Sequence, residues 1–209
     1  MMRASPRGKS ASPPSPRPRT KPPEVRRGEL LDAAERIFLA KGVAATSVDE
    51  IVAAADVAKG TFYLHFESKE HLLLSLQQRF VATFCRDLEA AMDRRRKDDW
   101  TGRLKAWVET GVDVYLDRTA LHDVVFHQFR PEQPRAKHEN PLAHQLAELL
   151  EKGTRAGAWS VGDPEVTAVM LFHALHGALH DAVDPRVQTN RRRLARTLGT
   201  FFHRVVGRP

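Results

Sequence analysis

Residues 46 to 70, TSVDEIVAAADVAKGTFYLHFESKE, constrain the fold more than any other stretch of the chain. Ser47 and Glu50 have the spacing of a capping box, in which the hydroxyl accepts a bond from a first-turn amide and the carboxylate reaches back to the cap. A helix is therefore predicted to begin at about Ser47. The chain should then turn at Asp56 and Val57, because aspartate tolerates a left-handed backbone, although glycine adopts it at lower cost.

A second short helix, within AKGTFYLHF, is predicted after this turn. Phe62 and Phe66 are four residues apart and share one buried face, which leaves Lys59 and Thr61 free to point elsewhere. Two helices joined by a tight turn, with hydrogen-bond donors facing outward, suit the major groove of DNA. An ordinary helical hairpin with aromatic core residues fits the periodicity equally well.

Residues 42 to 76, GVAATSVDEIVAAADVAKGTFYLHFESKEHLLLSL, resemble the signature of TetR-family transcriptional regulators, and KGTFYLHFESKEHL is its most specific part. The resemblance implies an all-α fold of about nine helices, in which an N-terminal three-helix helix-turn-helix domain precedes a helical-bundle domain for ligand binding and dimerisation. The family usually has Ala at Val52, Gly at Asp56 and Ser at Ala58. The change at Ala58 removes the usual hydroxyl cap of the recognition helix.

The resemblance also assigns residues to a double-stranded, palindromic DNA operator. It places phosphates near Thr46 or Ser47, Tyr63, His65 and Lys69. It places base edges near Lys59, Gly60 and Thr61, at the start of the recognition helix. Arg26 and Arg27 lie at the start of the first helix, where backbone amides and positive side chains favour a phosphate.

The formal net charge is +7, and residues 1 to 27 carry all of it through eight Lys or Arg and one Glu. Seven of the 13 prolines lie in the same segment. Residues 1–23 are therefore predicted to be a disordered basic arm, which attracts DNA or is a solvated leader without a specific role. We expect the helix-turn-helix domain over 24–70 and the ligand-binding and dimerisation domain over 71–209.

Apolar periodicity and caps predict the remaining helices. The first covers 24–41, a long fourth runs from Ser68 to about Arg94, and a fifth precedes a sixth over 119–130. A polar loop over 131–139 leads to a seventh helix that Asn140 caps and that Gly153 and Gly157 loosen. Asp163-Pro164 and Asp184-Pro185 each combine an N-cap with proline at the first helical position, which predicts two last helices over 163–183 and 184–206.

These two last helices each have a broad apolar stripe. The stripe of the eighth helix is Phe172, Leu175, Leu179 and Val183, and that of the ninth is Leu194, Leu198, Phe201 and Val205. Such faces can form a four-helix bundle with a twofold copy, so a homodimer through the last two helices is predicted. Burial of both faces within the monomer is the alternative.

The second domain also has aromatic residues at helix-facing positions, as the lining of an apolar small-molecule cavity would require. The predicted ligand-binding residues, for a small-molecule effector, are Phe80, Phe84, Trp107, Gly111, Tyr115, Phe126, His127, Met170, His173 and His176. A solid core without a cavity accounts for each residue taken singly.

No catalytic motif or cofactor-binding loop is recognisable, so we expect no enzyme activity and no cofactor. His173, His176 and His180 share a helix face as a zinc site would require, and His122 and His127 lie on the sixth helix. Yet no HExxH is present and the single cysteine, Cys85, provides no thiolate set. We therefore favour pocket lining or packing at the dimer interface, and no metal. No apolar run approaches the roughly 18 residues of a membrane span, and no secretory signal is present, so a cytoplasmic protein without membrane contact is expected.

These observations predict a homodimeric, ligand-responsive transcriptional regulator, a repressor released from its operator by a small molecule. Ligand binding is expected to act through the long fourth helix. An enzyme or a metal-binding carrier built on a helical bundle is the alternative from another class.

Overall fold

The computed structural model describes residues 21–127, 140–184, 186–187 and 190–207. These residues form nine α-helices and no strand, which confirms the all-α prediction. The helices are α1 Pro23–Lys41, α2 Val48–Ala54, α3 Lys59–His65, α4 Lys69–Asp93, α5 Trp100–Asp117, α6 Thr119–Phe126, α7 Pro141–Arg155, α8 Pro164–Ala182 and α9 Arg191–Val206. Among the described residues, no helix is both long and apolar enough to cross a membrane.

Two predicted segments fall largely or wholly outside the described residues. The predicted basic arm has only its last residues described, and Pro23 already belongs to α1. The predicted loop over 131–139 lies wholly outside, as does the predicted end of the sixth helix beyond residue 127.

Helices α1 to α3 pack around a small core in which Leu30, Ile51 and Phe62 are fully buried. The capping box of α2 is present: the Ser47 hydroxyl accepts a bond from the Glu50 amide, and the Glu50 carboxylate accepts one from the Ser47 amide. Asp56 has a φ of 52°, the left-handed conformation expected at this turn. The turn fixes the direction in which α3 leaves α2.

Helix α4 connects the two halves of the molecule. Its N-cap is Ser68, whose hydroxyl accepts a bond from the His71 amide at 3.1 Å. The buried face of α4 begins at Leu72 in the helix-turn-helix region and continues to Leu88 in the second domain, where α4 packs on α5, α6 and α7. The same helix therefore contributes to the core of both domains.

The start of α9 differs from the prediction. The N-cap is Asn190, whose side chain accepts a bond from the Arg193 amide at 2.9 Å. Asp184 instead accepts bonds from the amide and guanidinium of Arg186, which hold a turn before the helix. The predicted cap at Asp184 is therefore wrong, because its carboxylate is used two residues further along the chain.

The buried face of α9 is also displaced from the predicted stripe. Leu198, Phe202 and Val206 are buried, whereas Phe201 is 44% exposed and Val205 is 41% exposed. The ring of Phe202 lies 6.2 Å from that of Trp107 on α5, so packing against α5 decides which face turns inward.

The neighbouring helices differ in detail from the predicted patterns. On α8 the buried residues are Ala168, Leu171, Leu175 and Leu179, whereas the predicted Phe172 and Val183 are only half-buried. On α7 Gly153 lies within the helix, where a Cβ atom would come 2.1 Å from the indole of Trp159. Gly153 is thus required for close packing and does not end the helix.

Candidate functional site

Helix α3 presents one buried face and one solvent face. Phe62 is fully buried, whereas Lys59, Gly60 and Tyr63 are exposed. Ala58, at the N-cap, makes no side-chain hydrogen bond to the helix. A Cβ atom added at Gly60 would meet no atom within 4 Å, so no protein packing explains the glycine. At Gly60 the backbone of α3 is therefore exposed and not covered by any side chain of the described residues.

Lys59 is paired in the free protein. Its ammonium lies 2.7 Å from a carboxylate oxygen of Asp49 on α2, and both side chains are more than half exposed. This hydrogen bond to Asp49 raises the pKa of Lys59. An exposed pair of this kind contributes little to stability, so an acceptor on a ligand can replace Asp49 at low cost.

Two of the predicted phosphate-binding residues have internal roles. The Thr46 side chain is buried, and its hydroxyl donates to the Gly42 carbonyl at 2.7 Å. The Lys69 ammonium donates to the carbonyl oxygens of Val43 at 2.8 Å and Thr46 at 2.7 Å. Lys69 and Thr46 therefore hold together the connection between α1 and α2.

Ser47 is the exposed member of the Thr46–Ser47 alternative. Its hydroxyl donates to the Glu50 carboxylate at 2.9 Å, and Lys41 also pairs with Glu50. The bond from Lys41, assisted by those from Ser47, lowers the pKa of Glu50 to about 2. The Glu50 carboxylate therefore stays charged at neutral pH and keeps its hydrogen bonds to Ser47 at the start of α2.

Arg27, at the start of α1, lies beside the end of α3, whereas Arg26 pairs within α1. Arg26 donates to Glu29 at 2.9 Å, and the Arg27 guanidinium lies 5.2 Å from the centre of the Phe66 ring. His65 is half-buried, with its ring 6.4 Å from the same phenylalanine. The guanidinium of Arg27 is thus placed next to the end of α3 by an aromatic residue that belongs to the core.

A cavity of about 1110 Å³ lies in the second domain, lined by residues of α4 to α8 and by Asn140. Most of its lining is apolar or aromatic. Eight of the ten predicted ligand-binding residues line it: Phe80, Phe84, Trp107, Gly111, Tyr115, Phe126, His127 and His176. Met170 and His173 do not, because both are exposed on α8. Trp159 is not part of the lining and packs against Gly153 and Trp100.

Two buried polar atoms at this cavity have no hydrogen-bond partner among the described residues: the Tyr115 hydroxyl and Nδ1 of His122. Burial raises the pKa of Tyr115. Burial, with His176 and His127 nearby, lowers the pKa of His122 to about 4. Burial likewise lowers the pKa of His176. These imidazoles are therefore neutral at neutral pH.

His122 was absent from the predicted ligand-binding residues. It lines the cavity, and its ring lies 4.8 Å from that of Phe126, four residues later on the same face of α6. That spacing was the available signal, since residues four apart share a helix face.

The cavity and the helix-turn-helix are joined by direct contacts. α4 lines the cavity and packs on α1, and α6 also packs on α1. Arg79 of α4 pairs with Asp32 at 2.6 Å and with Glu35 at 2.7 Å, both on α1. These contacts connect the wall of the cavity to the N-terminal helices.

Residues 30–76 match the family of bacterial regulatory proteins called the tetR family, and residues 101–197 match the tetracyclin repressor-like C-terminal domain. The chain is 39% identical over 105 residues to the transcriptional activator FasR of Mycolicibacterium smegmatis, covering 50% of this chain and 47% of that protein. It is 32% identical over 96 residues to the transcriptional repressor KstR2 of Rhodococcus jostii, covering 46% and 39%. The chain thus spans less than half the length of these two curated relatives.

The fold has solved counterparts. The regulator FadR of Bacillus subtilis, solved in complex with stearoyl-CoA, superposes with a TM-score of 0.68 at 20% identity, covering 84% of this chain and 96% of that one. Both family matches name the same family, and the helical arrangement agrees with it over most of the described residues. The chain belongs to the TetR family of bacterial regulatory proteins.

Proposed function

We propose that this chain is a homodimeric, ligand-responsive repressor that leaves its DNA operator when a small-molecule effector binds the second domain. One observation carries the proposal. Helix α4 begins at Lys69, four residues after the end of α3, and its 25 residues continue into the wall of the cavity at Phe80, Phe84 and Leu88. Such a helix spans about 37 Å and joins the two sites directly.

The DNA-binding part of the proposal rests on the solvent face of α3. Lys59, Gly60 and Thr61 would approach base edges, with Lys59 exchanging Asp49 for an acceptor on the DNA. Tyr63, His65, Ser47 and the arginines of α1 would contact phosphates. Lys69 and Thr46 would act on the phosphates through the backbone that they position. A twofold dimer presents two such helices, so the operator would be palindromic.

The proposed effector would bind in the cavity of the second domain. Its apolar walls favour a mostly apolar ligand, and the unpartnered Tyr115 hydroxyl favours one polar group on that ligand. The FadR structure in complex with stearoyl-CoA makes long-chain fatty acids and their coenzyme A thioesters the first compounds to test.

The response would be a shift between two spacings of the recognition helices. An effector changes this equilibrium only by the difference in its affinity for the two states. α4, with the Arg79 ion pairs to α1, would communicate the state of the cavity to α3.

The dimer would form through α8 and α9. Both helices expose apolar side chains in the single chain, among them Val169, Met170, Phe201 and Val205. Scattered apolar residues are normal on a surface, but several on two successive helices favour an interface. Met170 would then contact the second copy and not the effector.

The experiment has three stages. Selection from a random duplex pool by the full chain, followed by footprinting, should yield a palindrome. Titration of fatty acids and acyl thioesters into the complex should then release the protein from the DNA, with the compound recovered unchanged.

In a reporter strain with this operator in the promoter, the protein should lower expression. Activation, as the name of FasR would suggest, would contradict repression. Conversion of the compound would favour the enzyme alternative.

A further inference from the structure

Three potential metal ligands meet at the end of α6, beside the cavity. One ligand atom from each of His122, Asp123 and His127 lies within 4.8 Å of the others. His127 follows the last helical residue, and its ring centre is 5.3 Å from that of His122. Two ligand atoms of one tetrahedral Zn²⁺ lie about 3.4 Å apart, so closure around an ion needs up to roughly 1.4 Å of side-chain movement.

The histidine at the centre of this trio is buried and lacks a partner. His122 is only 6% exposed, and its Nδ1 has no hydrogen-bond partner among the described residues. The nearest carboxylate oxygen, on Asp123, is 3.6 Å away, beyond hydrogen-bond distance. A buried imidazole nitrogen without a partner is unfavourable, and a metal ion would satisfy it.

Further imidazoles surround the trio. The ring of His176 on α8 is 5.5 Å from that of His122, and the ring of His180 is 6.0 Å from that of His127. Mixed imidazole and carboxylate donors suit divalent ions of the Zn²⁺ group and not Ca²⁺ or Mg²⁺, which prefer oxygen alone.

We propose that His122, Asp123 and His127 bind one divalent transition-metal ion, of the Zn²⁺ class, at the end of α6. The histidine spacing indicated His173, His176 and His180, with His122 and His127 on the sixth helix, but it did not indicate Asp123, because residues at positions i, i+1 and i+5 do not share a helix face. The end of α6 at Phe126 brings His127 back beside His122. Since α6 also packs on α1, the ion would lie one helix away from the helix-turn-helix.

The test uses the full chain without a histidine tag, treated with chelator and then titrated with Zn²⁺ by calorimetry and with Co²⁺ by visible absorption. We expect one ion per chain. His127→Ala should weaken binding at least about tenfold, since loss of even an indirect partner of a metal ligand costs that much. His127 is exposed, so the variant should keep the wild-type fold, checked by circular dichroism.

His144→Ala is the matched control, because His144 lies on α7 with its side chain 73% exposed. It should leave affinity and stoichiometry unchanged. Asp123→Asn should weaken binding without altering the fold. Absence of binding, equal affinity in His127→Ala and the wild type, or loss of binding in His144→Ala would overturn the proposal. Because the readout is metal binding, none of these outcomes depends on the proposed effector response.

Discussion

Arg79 on α4 and Glu35 on α1 form an ion pair, with 2.7 Å between Nη2 and Oε2. The other terminal nitrogen of Arg79 is 2.6 Å from Asp32, one turn earlier on α1. A single guanidinium therefore fastens the helix that lines the cavity to the first helix of the N-terminal domain. The planar fork of arginine suits two carboxylates better than the point charge of lysine.

Arg79→Ala should loosen α1 more than it destabilises the protein. The pair is partly exposed, so the free energy of unfolding should fall by less than about 1 kcal/mol. Amides of α1 should exchange hydrogen faster, because the local opening becomes easier. Arg86→Ala is the control, since Arg86 lies on the same helix but bonds to Thr83. Equal exchange in the two variants would rule out this function of the ion pair.

Gly60→Ala should separate folding from DNA binding. The added methyl meets no protein atom within 4 Å, and alanine favours a helix over glycine by roughly 0.5–1 kcal/mol. The melting temperature should stay equal or rise, while operator affinity falls because the methyl obstructs close approach to DNA. Gly162→Ala, also in open space but in the second domain, should leave operator affinity unchanged. Undiminished operator binding by Gly60→Ala would contradict the proposed docking.

Gly111→Leu should fill the cavity. A Cβ at this position makes an ordinary 3.4 Å contact with Leu175, and the remaining side-chain atoms would enter the open space. Operator affinity and melting temperature should persist, while release by effector is lost. Gly153→Ala provides the contrast, because its Cβ would lie 2.1 Å from Trp159 and should cost roughly 1–3 kcal/mol. If both variants lose stability and operator binding alike, Gly111 faces solid core.

Phe201→Glu should convert the dimer to monomer. The side chain is 44% exposed in the single chain, and a charge there would be buried without a partner in the proposed α8–α9 interface. Sedimentation velocity measures the change in mass directly. Leu39→Glu introduces the same charge at an equally exposed apolar residue of α1 and should leave the mass unaltered. A dimeric Phe201→Glu protein would place the interface elsewhere.

Stability should fall as the pH falls from 7.5 to 5.5. The folded pKa of His122 is about 4, against 6.5 for the free side chain, so the unfolded chain binds more protons between these values. Acidification therefore favours unfolding, by about 1 kcal/mol over this interval. Urea unfolding of chelator-treated protein measures the change. His122→Gln should remove this part of the pH dependence, and the smaller part due to His176 should remain.

The starts of four helices were predictable from the sequence, because a cap bonds to an amide only two or three residues away. Ser47, Ser68, Asn140 and Asp163 cap the helices expected of them. The left-handed turn at Asp56 was also predictable, because it depends on the conformational preference of one residue. The family signature, which lies in one continuous stretch, likewise needed no tertiary information.

The start and the inward face of α9 depended on tertiary structure. Aspartate and asparagine are both favourable N-cap residues, so the sequence alone does not indicate whether Asp184 or Asn190 caps α9. Phe201 and Phe202 are neighbours of equal hydrophobicity. Contact with Trp107 on another helix turns Phe202 inward and leaves Phe201 in solvent.

For the candidate sites as well, some features were predictable from the sequence and others depended on tertiary structure. Helical periodicity identified eight residues of the cavity wall, because inward-facing aromatic residues recur every three or four positions. It could not reveal that Lys69 bonds back to the carbonyl oxygens of Val43 and Thr46, more than 20 residues earlier. Nor could it reveal that His127 folds beside His122 at a helix end. Hydrogen bonds and ring contacts between distant or non-helical positions have no period in the sequence, so only the packed chain determines them.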